Sequence, residues 1–314
     1  MIKIESHFLK SLVFALVMLN VGFANAQSLK ELKLIEGLQY EKEIVYKIVG
    51  GDTLDMILFT PRLKKYDRAP VILYTHGGGW GGGSKYNITR PAFRATLQTL
   101  LENGIVCATI EYRLTRKKIS TAYDCVVDCK DAARFLIKHA EKYELDTDRM
   151  GVWGGSAGEH LSLMTGLGKN EDFIGDNSLS GYDPVFRCVA SYFPLTSFVR
   201  PDLLVGSNFE KPQRFVPILG GLKTEKEDLA KGLSPVELLT RDSPPILLLH
   251  GDKDKVLPIS QSIYMVERAQ EVGANVRLIT VKNAGHSFNG ADIDPTIEKI
   301  NQIAAEFIIE KLTR

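Results

Sequence analysis

Apolar positions along the chain fall into two kinds of pattern. Short, largely apolar runs without regular alternation occupy residues 71–75, 105–110, 150–153, 186–193, 246–250 and 276–281. Between and after them lie stretches with the three-to-four-residue spacing of an amphipathic helix, at 91–102, 122–143, 156–165, 259–270 and 296–312. Continuous apolar strands separated by helices predict a parallel sheet covered on both faces. Ahead of this alternation, residues 43–49 and 53–59 are β-rich and flank Gly50-Gly51-Asp52, which predicts an antiparallel hairpin. Asn103-Gly104 and Gly273 supply helix-end signals. Residues 196–243 break the rhythm. So long a weakly periodic stretch inside a compact domain predicts a functional wall or partial cap. The expected fold is α/β: a mostly parallel central sheet with an antiparallel N-terminal hairpin, helices on both faces, and a partial cap from 196–243.

Composition narrows the function classes. With 314 residues, 44% apolar and 25% charged, the chain has an ordinary globular make-up, which excludes a disordered protein. Lys and Arg number 39 against 38 Asp and Glu, so there is no basic excess to hold nucleic acid by bulk attraction.

The first 26 residues change the domain picture. Lys3 and Lys10 precede the apolar run 12–19, and Ala24-Asn25-Ala26 follows, the layout of a secretory signal peptide cleaved before Gln27. Asn20, Gly22 and Asn25 dilute the run, and a membrane-spanning helix needs ~20 mostly apolar residues. The expectation is a signal peptide at 1–26 and a single domain at 27–314, periplasmic or secreted, with no membrane attachment after cleavage. Export permits disulfides, so the cysteines need a reading. Cys107 and Cys188 lie in strand-like runs. Cys125 and Cys129 share a helix face, an unfavourable geometry for a bridge. All four are expected to be buried structural thiols, and none has metal-like spacing.

Candidate chemistry begins at Gly154-Gly155-Ser156-Ala157-Gly158, a G-x-S-x-G sequence. It follows a predicted strand and opens a predicted helix, the context a nucleophile elbow requires. Glycines belong at 154 and 158 because strand and helix nearly touch there. A serine hydroxyl needs a base, and the base a carboxylate; with this elbow both come later in the chain, acid first. Among the histidines, only His286 leaves room for a strand-end acid between itself and Ser156. The loop Gly251-Asp252-Lys253-Asp254 after the run 246–250 offers two carboxylates. Asp254 is preferred, and spacing alone leaves Asp252 open. Stabilisation of an oxyanion needs bare backbone amides. His76-Gly77-Gly78-Gly79-Trp80 at a strand end makes Gly78, Gly79 and the N–H of Ala157 the candidate donors. His76 is read as ordering this loop. Trp80 is equally compatible with a pocket wall, as a substrate-binding residue, and with the core. The same glycines satisfy a dinucleotide fingerprint, but that motif requires a helix at its third glycine, and helical spacing here starts only near Pro91.

With these residues identified, the chain resembles the α/β-hydrolases of the hormone-sensitive-lipase-like and acetyl-xylan and feruloyl esterase groups. The resemblance rests on His76–Trp80, Glu111-Tyr112-Arg113-Leu114, residues 154–160, Ser234-Pro235, residues 244–258 and 284–288. It implies an α/β-hydrolase fold, a serine carboxylesterase activity through an acyl-enzyme, Asp254 as the acid, structural roles for Tyr112 and Arg113, and no metal or cofactor. The implied substrate is a small-molecule or oligosaccharide ester, with short acyl or phenolic esters of carbohydrates foremost. Glu159 departs from the pattern, since relatives carry a small residue after the elbow glycine. Two alternatives stay open: a serine amidase or peptidase of the same fold, and a non-catalytic binding protein on a hydrolase scaffold.

Overall fold

The computed structural model describes residues 35–116 and 119–314; the signal-peptide expectation for 1–26 lies outside them. Strand β1 (Tyr40–Val49) turns at Gly50-Gly51, both at positive φ, into β2 (Asp52–Phe59), and the two pair antiparallel. β2 also runs antiparallel to β4 (Val106–Ile110). Beyond it, β3 (Ala69–Thr75), β5 (Leu145–Gly155), β6 (Cys188–Tyr192), β7 (Ile246–Gly251) and β8 (Val276–Val281) are all parallel. The order across the eight-stranded sheet is β1-β2-β4-β3-β5-β6-β7-β8.

Strands β4, β6 and β7 are buried along their whole length, as uninterrupted apolar runs require. β8 departs from the two-face burial expected of it: most of its residues are half-buried or exposed. It is the edge, with no further strand beside it among the described residues. β5 starts five residues before its apolar run because Ala69 and Pro70 of β3 continue the ladder past the polar segment.

Helix α1 (Pro91–Glu102) packs with the terminal helix α7 (Ile297–Thr313) on one side of the sheet. α2 (Ala122–Lys138) and α3 (Ala157–Leu167) pack together against β5 and β6 and their neighbours, and α6 (Ser260–Val272) lies along β8. α2 ends earlier than its spacing predicts, at a His139 cap. A buried ion cluster fastens it. Lys47 of β1 contacts Asp128 and Asp131 at 2.7 Å each, and Arg113 reaches Asp124 at 3.0 Å and Asp128 at 2.8 Å. Tyr112 donates its hydroxyl to the His76 carbonyl at 2.6 Å, so both residues after Glu111 hold neighbouring loops in place.

The segment 196–243 is built of turns and one-turn 3-10 helices, with α4 (Val216–Leu219) and α5 (Glu227–Gly232) its only α-helical pieces. Helices of four and six residues are too short to repeat an apolar face, which accounts for the missing periodicity. Phe198, Phe215, Leu219, Leu233 and Val236 are nonetheless buried beneath them.

Candidate active site

All the parallel strands end on one rim, so loops that follow them meet there regardless of their separation in sequence. β5 delivers Ser156 to that rim in a sharp turn with φ 59° and ψ −122°. Three close approaches force the turn. A Cβ on Gly154 would lie 2.5 Å from the Gly158 carbonyl oxygen, and one on Gly158 would collide with the Thr75 carbonyl. A Cβ on Gly155 would meet Phe93 at the same 2.5 Å. Thr75 tightens the junction, donating its hydroxyl to the Gly158 carbonyl and contacting Ser162 Oγ at 2.7 Å. Only glycines let β3, β5 and α3 converge this closely, and Ser156 is left at the apex, half-buried.

His286 enters from the loop after β8. Its Nε2 lies 2.9 Å from Ser156 Oγ and its Nδ1 2.7 Å from Asp254 Oδ2. Nδ1–H donates to the carboxylate, which leaves Nε2 as acceptor for the serine hydroxyl. Asp254, in the loop after β7, is buried, and its Oδ1 accepts from the amides of Val256 (2.8 Å) and Leu257 (3.0 Å). Asp252 is exposed on the same loop and does not reach His286. Burial pushes the Asp254 carboxyl up, but hydrogen bonding and the electrostatic pull of the His250 and His286 imidazoles outweigh it and hold the carboxyl well below the usual range.

His250 joins the site although chain order gives it no part there, since it precedes the acid and so cannot be the base. Its ring is fixed beside Asp254, with Nε2 2.8 Å from the Leu257 carbonyl, 3.5 Å from Asp254 Oδ2, and Nδ1 2.8 Å from Ser262 Oγ. A histidine at the end of a buried strand, four residues before a loop carboxylate, is the signal that marks it in the sequence.

Opposite the serine runs the glycine loop. A Cβ on Gly77 would lie 3.3 Å from Ser156 Cβ, so this backbone touches the nucleophile's own residue. Gly78 and Gly79 take φ of 135° and 63° and line the pocket, and Ala157 is the first residue of α3. Among the described residues, the amides of Gly78, Gly79 and Ala157 donate to no protein acceptor. His76 is buried behind this loop, stacked on Tyr112 at 4.2 Å, with Nδ1 2.9 Å from the Gly77 carbonyl.

Trp80 is both core and wall: 1% exposed, yet lining the cavity. Its Nε1–H donates to His160 Nδ1 at 3.1 Å, and His160 Nε2 lies 2.7 Å from the Leu233 carbonyl in the 196–243 segment. Both bonds require the tautomer protonated on Nε2. Burial pulls the His160 pKa down to about 4 against the opposing pull of the Leu233 carbonyl, so the ring is neutral at ordinary pH. Glu159 points inward, fully buried, with one carboxyl oxygen on Ser191 Oγ and the other without a partner. Burial pushes its carboxyl well above the usual range against the Ser191 hydrogen bond, and the charge of Asp254 adds to the rise.

The cavity over Ser156 measures about 560 Å³. Phe93, Phe193, Phe209 and Phe288 line it with Trp80, and Val256 and Leu257 close the side toward Asp254. Sequence spacing assigns Phe93 to the core face of α1 and Phe193 to the strand run 186–193, which in the structure stops one residue short of it, and gives no signal for Phe209 or Phe288 as pocket residues. Among the described residues no group of three or more His, Cys, Asp or Glu is placed to hold a metal ion, and no helix is long and apolar enough to cross a membrane. A hydroxyl, an imidazole and a buried carboxylate in hydrogen-bonded series, facing unengaged amides, is an arrangement able to perform acyl transfer.

Comparison with known proteins agrees in fold and family. The BD-FAE family model matches residues 55–268. Esterase LipC of Mycobacterium tuberculosis is 30% identical over 267 residues, covering 81% of this chain and 63% of LipC. Esterase LipQ of the same organism is 27% identical over 248 residues, covering 79% of this chain and 57% of LipQ. The chain thus spans about three-fifths of the length of the curated relatives it matches. Among solved structures, the butyrate-bound esterase 2 of Thermogutta terrifontis superposes with a TM-score of 0.70 at 24% identity, over 88% of this chain and 95% of that one. A truncated carbohydrate esterase from gut microbiota gives a TM-score of 0.72 at 23% identity, over 88% and 97%. At those identities the two superpositions speak for the fold, which is that of the α/β-hydrolases. The family match takes in the glycine loop, the elbow and the loop of Asp254, and on that extent the chain belongs to the BD-FAE family.

Proposed function

We propose that the protein is a serine carboxylesterase working through an acyl-enzyme. The observation that carries this reading is the continuous hydrogen-bonded series Asp254–His286–Ser156, at 2.7 and 2.9 Å. In the proposed cycle, Ser156 Oγ attacks the ester carbonyl while His286 Nε2 takes its proton. The oxygen that becomes negative is met by the amides of Gly78, Gly79 and Ala157. Each such donor supplies roughly 3–4 kcal/mol in comparable sites. Asp254 holds the imidazole by Nδ1–H and stabilises its cation without accepting the proton. His286 then protonates the departing alkoxide, and water, activated by the same imidazole, releases the acid.

Short acyl or phenolic esters of carbohydrates are the proposed substrates. The aromatic lining suits a planar or compact acyl group. The likeness to a carbohydrate esterase and to a butyrate-bound esterase points the same way. Lys3, Lys10 and the small-residue site at 24–26 support an exported enzyme. The test is a panel of p-nitrophenyl acetate, butyrate and octanoate with methyl ferulate and an aminoacyl anilide. Hydrolysis of the esters is expected, and Ser156→Ala should lower kcat by about 10⁴–10⁶ with the fold intact. Turnover of the anilide alone would favour a peptidase, and silence on every compound a binding protein.

A further inference from the structure

Resting on the esterase reading, we infer that one end of the cavity is an anion subsite built around Arg90, and that the enzyme's preferred ester carries a carboxylate near the scissile bond. Arg90 is the only Lys, Arg, Asp or Glu lining the cavity among the described residues. Its guanidinium joins none of the ion pairs among the described residues, whereas Arg113, Arg134, Arg149 and Arg200 are each paired with a carboxylate.

Two further features of the same corner favour negative charge. Arg90 is the residue before α1, and Pro91, Ala92 and Phe93, the first turn of that twelve-residue helix, also line the cavity. This helix has no acid in its first turn and no side-chain cap, so its positive dipole end opens uncompensated into the pocket. α2, α3 and α7, by contrast, carry Asp124, Glu159 and Glu298 there. The third feature is Tyr74, fully buried and lining the cavity, whose hydroxyl has no hydrogen-bond partner. Burial pushes this phenol up and the Arg90 charge pulls it back. A cation, a helix N-terminus and an idle hydroxyl donor together suit a carboxylate, such as that of an acylated acidic sugar or of a dicarboxylic half-ester. Main-chain hydrogen bonds fix Arg90 at this corner. Its amide donates to the Asn87 carbonyl at 3.1 Å, and its own carbonyl accepts from Phe93 and Arg94 at 2.9 Å each.

The experiment compares matched esters in two series. On the acyl side, the 4-nitrophenyl half-ester of adipic acid is set against the analogue ending in a carboxamide. On the alcohol side, 4-acetoxybenzoate is set against 4-acetoxybenzamide. In one series the anionic member is expected to have kcat/KM about 5- to 10-fold higher, mostly through KM. That ratio should shrink as salt rises from about 0.02 to 0.5 M. Arg90→Met should bring the ratio to about one, Arg90→Lys should keep part of it, and Tyr74→Phe should lower it less than Arg90→Met. Equal turnover of charged and neutral members in both series, or a preference unchanged in Arg90→Met, overturns the anion subsite alone. Inertness of all four compounds overturns the esterase reading and this one with it.

Discussion

Glu159 and His160 are adjacent, fully buried and titrate in opposite senses. The Glu159 carboxyl is held above 4.5, its ordinary value. The folded protein therefore keeps a proton that the unfolded chain releases, and Glu159 lowers stability as pH rises above that value. His160 falls from 6.5 to about 4, so the unfolded chain binds the extra proton. Its contribution to stability is lost as pH drops from 6.5 to about 4, and the gap corresponds to ~3 kcal/mol. In the wild type the two slopes partly cancel. Glu159→Gln removes one of them. The variant should be more stable than wild type at about pH 7.5, and this advantage should shrink toward about pH 4.5, as read by urea midpoints across that range. A pH-independent difference would mean that Glu159 is not held protonated. Asp254 behaves in the ordinary acidic direction: its depressed value supplies stability above the normal carboxylate range, which is lost only on strong acidification. Because this carboxylate stays ionised, the acid limb of kcat/KM belongs to an imidazole. Activity should fall on acidification as that imidazole takes up a proton, and a kcat/KM profile with no acid limb would contradict the base assignment.

At the scale of elements, the elbow is where local sequence and tertiary packing state the same requirement. Gly158→Ala puts a methyl group into the Thr75 carbonyl at the head of α3, and should cost more than ~3 kcal/mol of stability. Gly232→Ala, at the last residue of α5 with nothing within 4 Å of the added carbon, is the control and should be neutral or stabilising by up to ~1 kcal/mol. Thermal melts of the two variants separate a packing constraint from a general intolerance of alanine. The elbow is legible in the sequence because glycine, serine and strand–helix context all lie within a short stretch. The strands and helices are legible for the same reason, within a few residues at each end. The pocket wall is not. Of the nine non-glycine residues at positive φ among the described residues, five line the cavity: Trp80, Ser156, Phe193, Ser287 and Phe288. Such conformations cost about 1–3 kcal/mol each and persist only where surrounding structure imposes them. No local propensity announces them, so Trp80 reads equally as wall or core, Phe193 as the end of a strand, and Phe288 as a residue beside the base with no pocket role of its own.

For the whole molecule, the decisive fact is that the acid and the base follow adjacent parallel strands, β7 and β8, on the rim where Ser156 emerges. Chain order and strand count are enough to choose His286 and to bring Asp254 and Asp252 forward. Choosing between those two needs either resemblance or coordinates, because only burial and the amides of Val256 and Leu257 distinguish them. The four cysteines report on the same architecture. All are free and buried, and burial raises the Cys188 thiol to about 12. Ellman's reagent should find no rapidly reacting thiol in the native protein, and four per chain once it is unfolded. Reaction of Cys107 or Cys188 before loss of circular dichroism would point to opening of the sheet short of global unfolding.

The path from Trp80 through His160 to the Leu233 carbonyl has a practical consequence for chimaeras. Exchanging residues 196–243 with a relative's segment is an obvious way to alter acyl preference. Unless the donor segment presents a main-chain acceptor in the place of Leu233, the imidazole is left with an unmatched N–H in a dry interior, and the indole beside Gly78 and Gly79 loses the ring that fixes it. Grafts that respect this single carbonyl should retain turnover while changing selectivity; grafts that shift it should lose turnover on every ester alike.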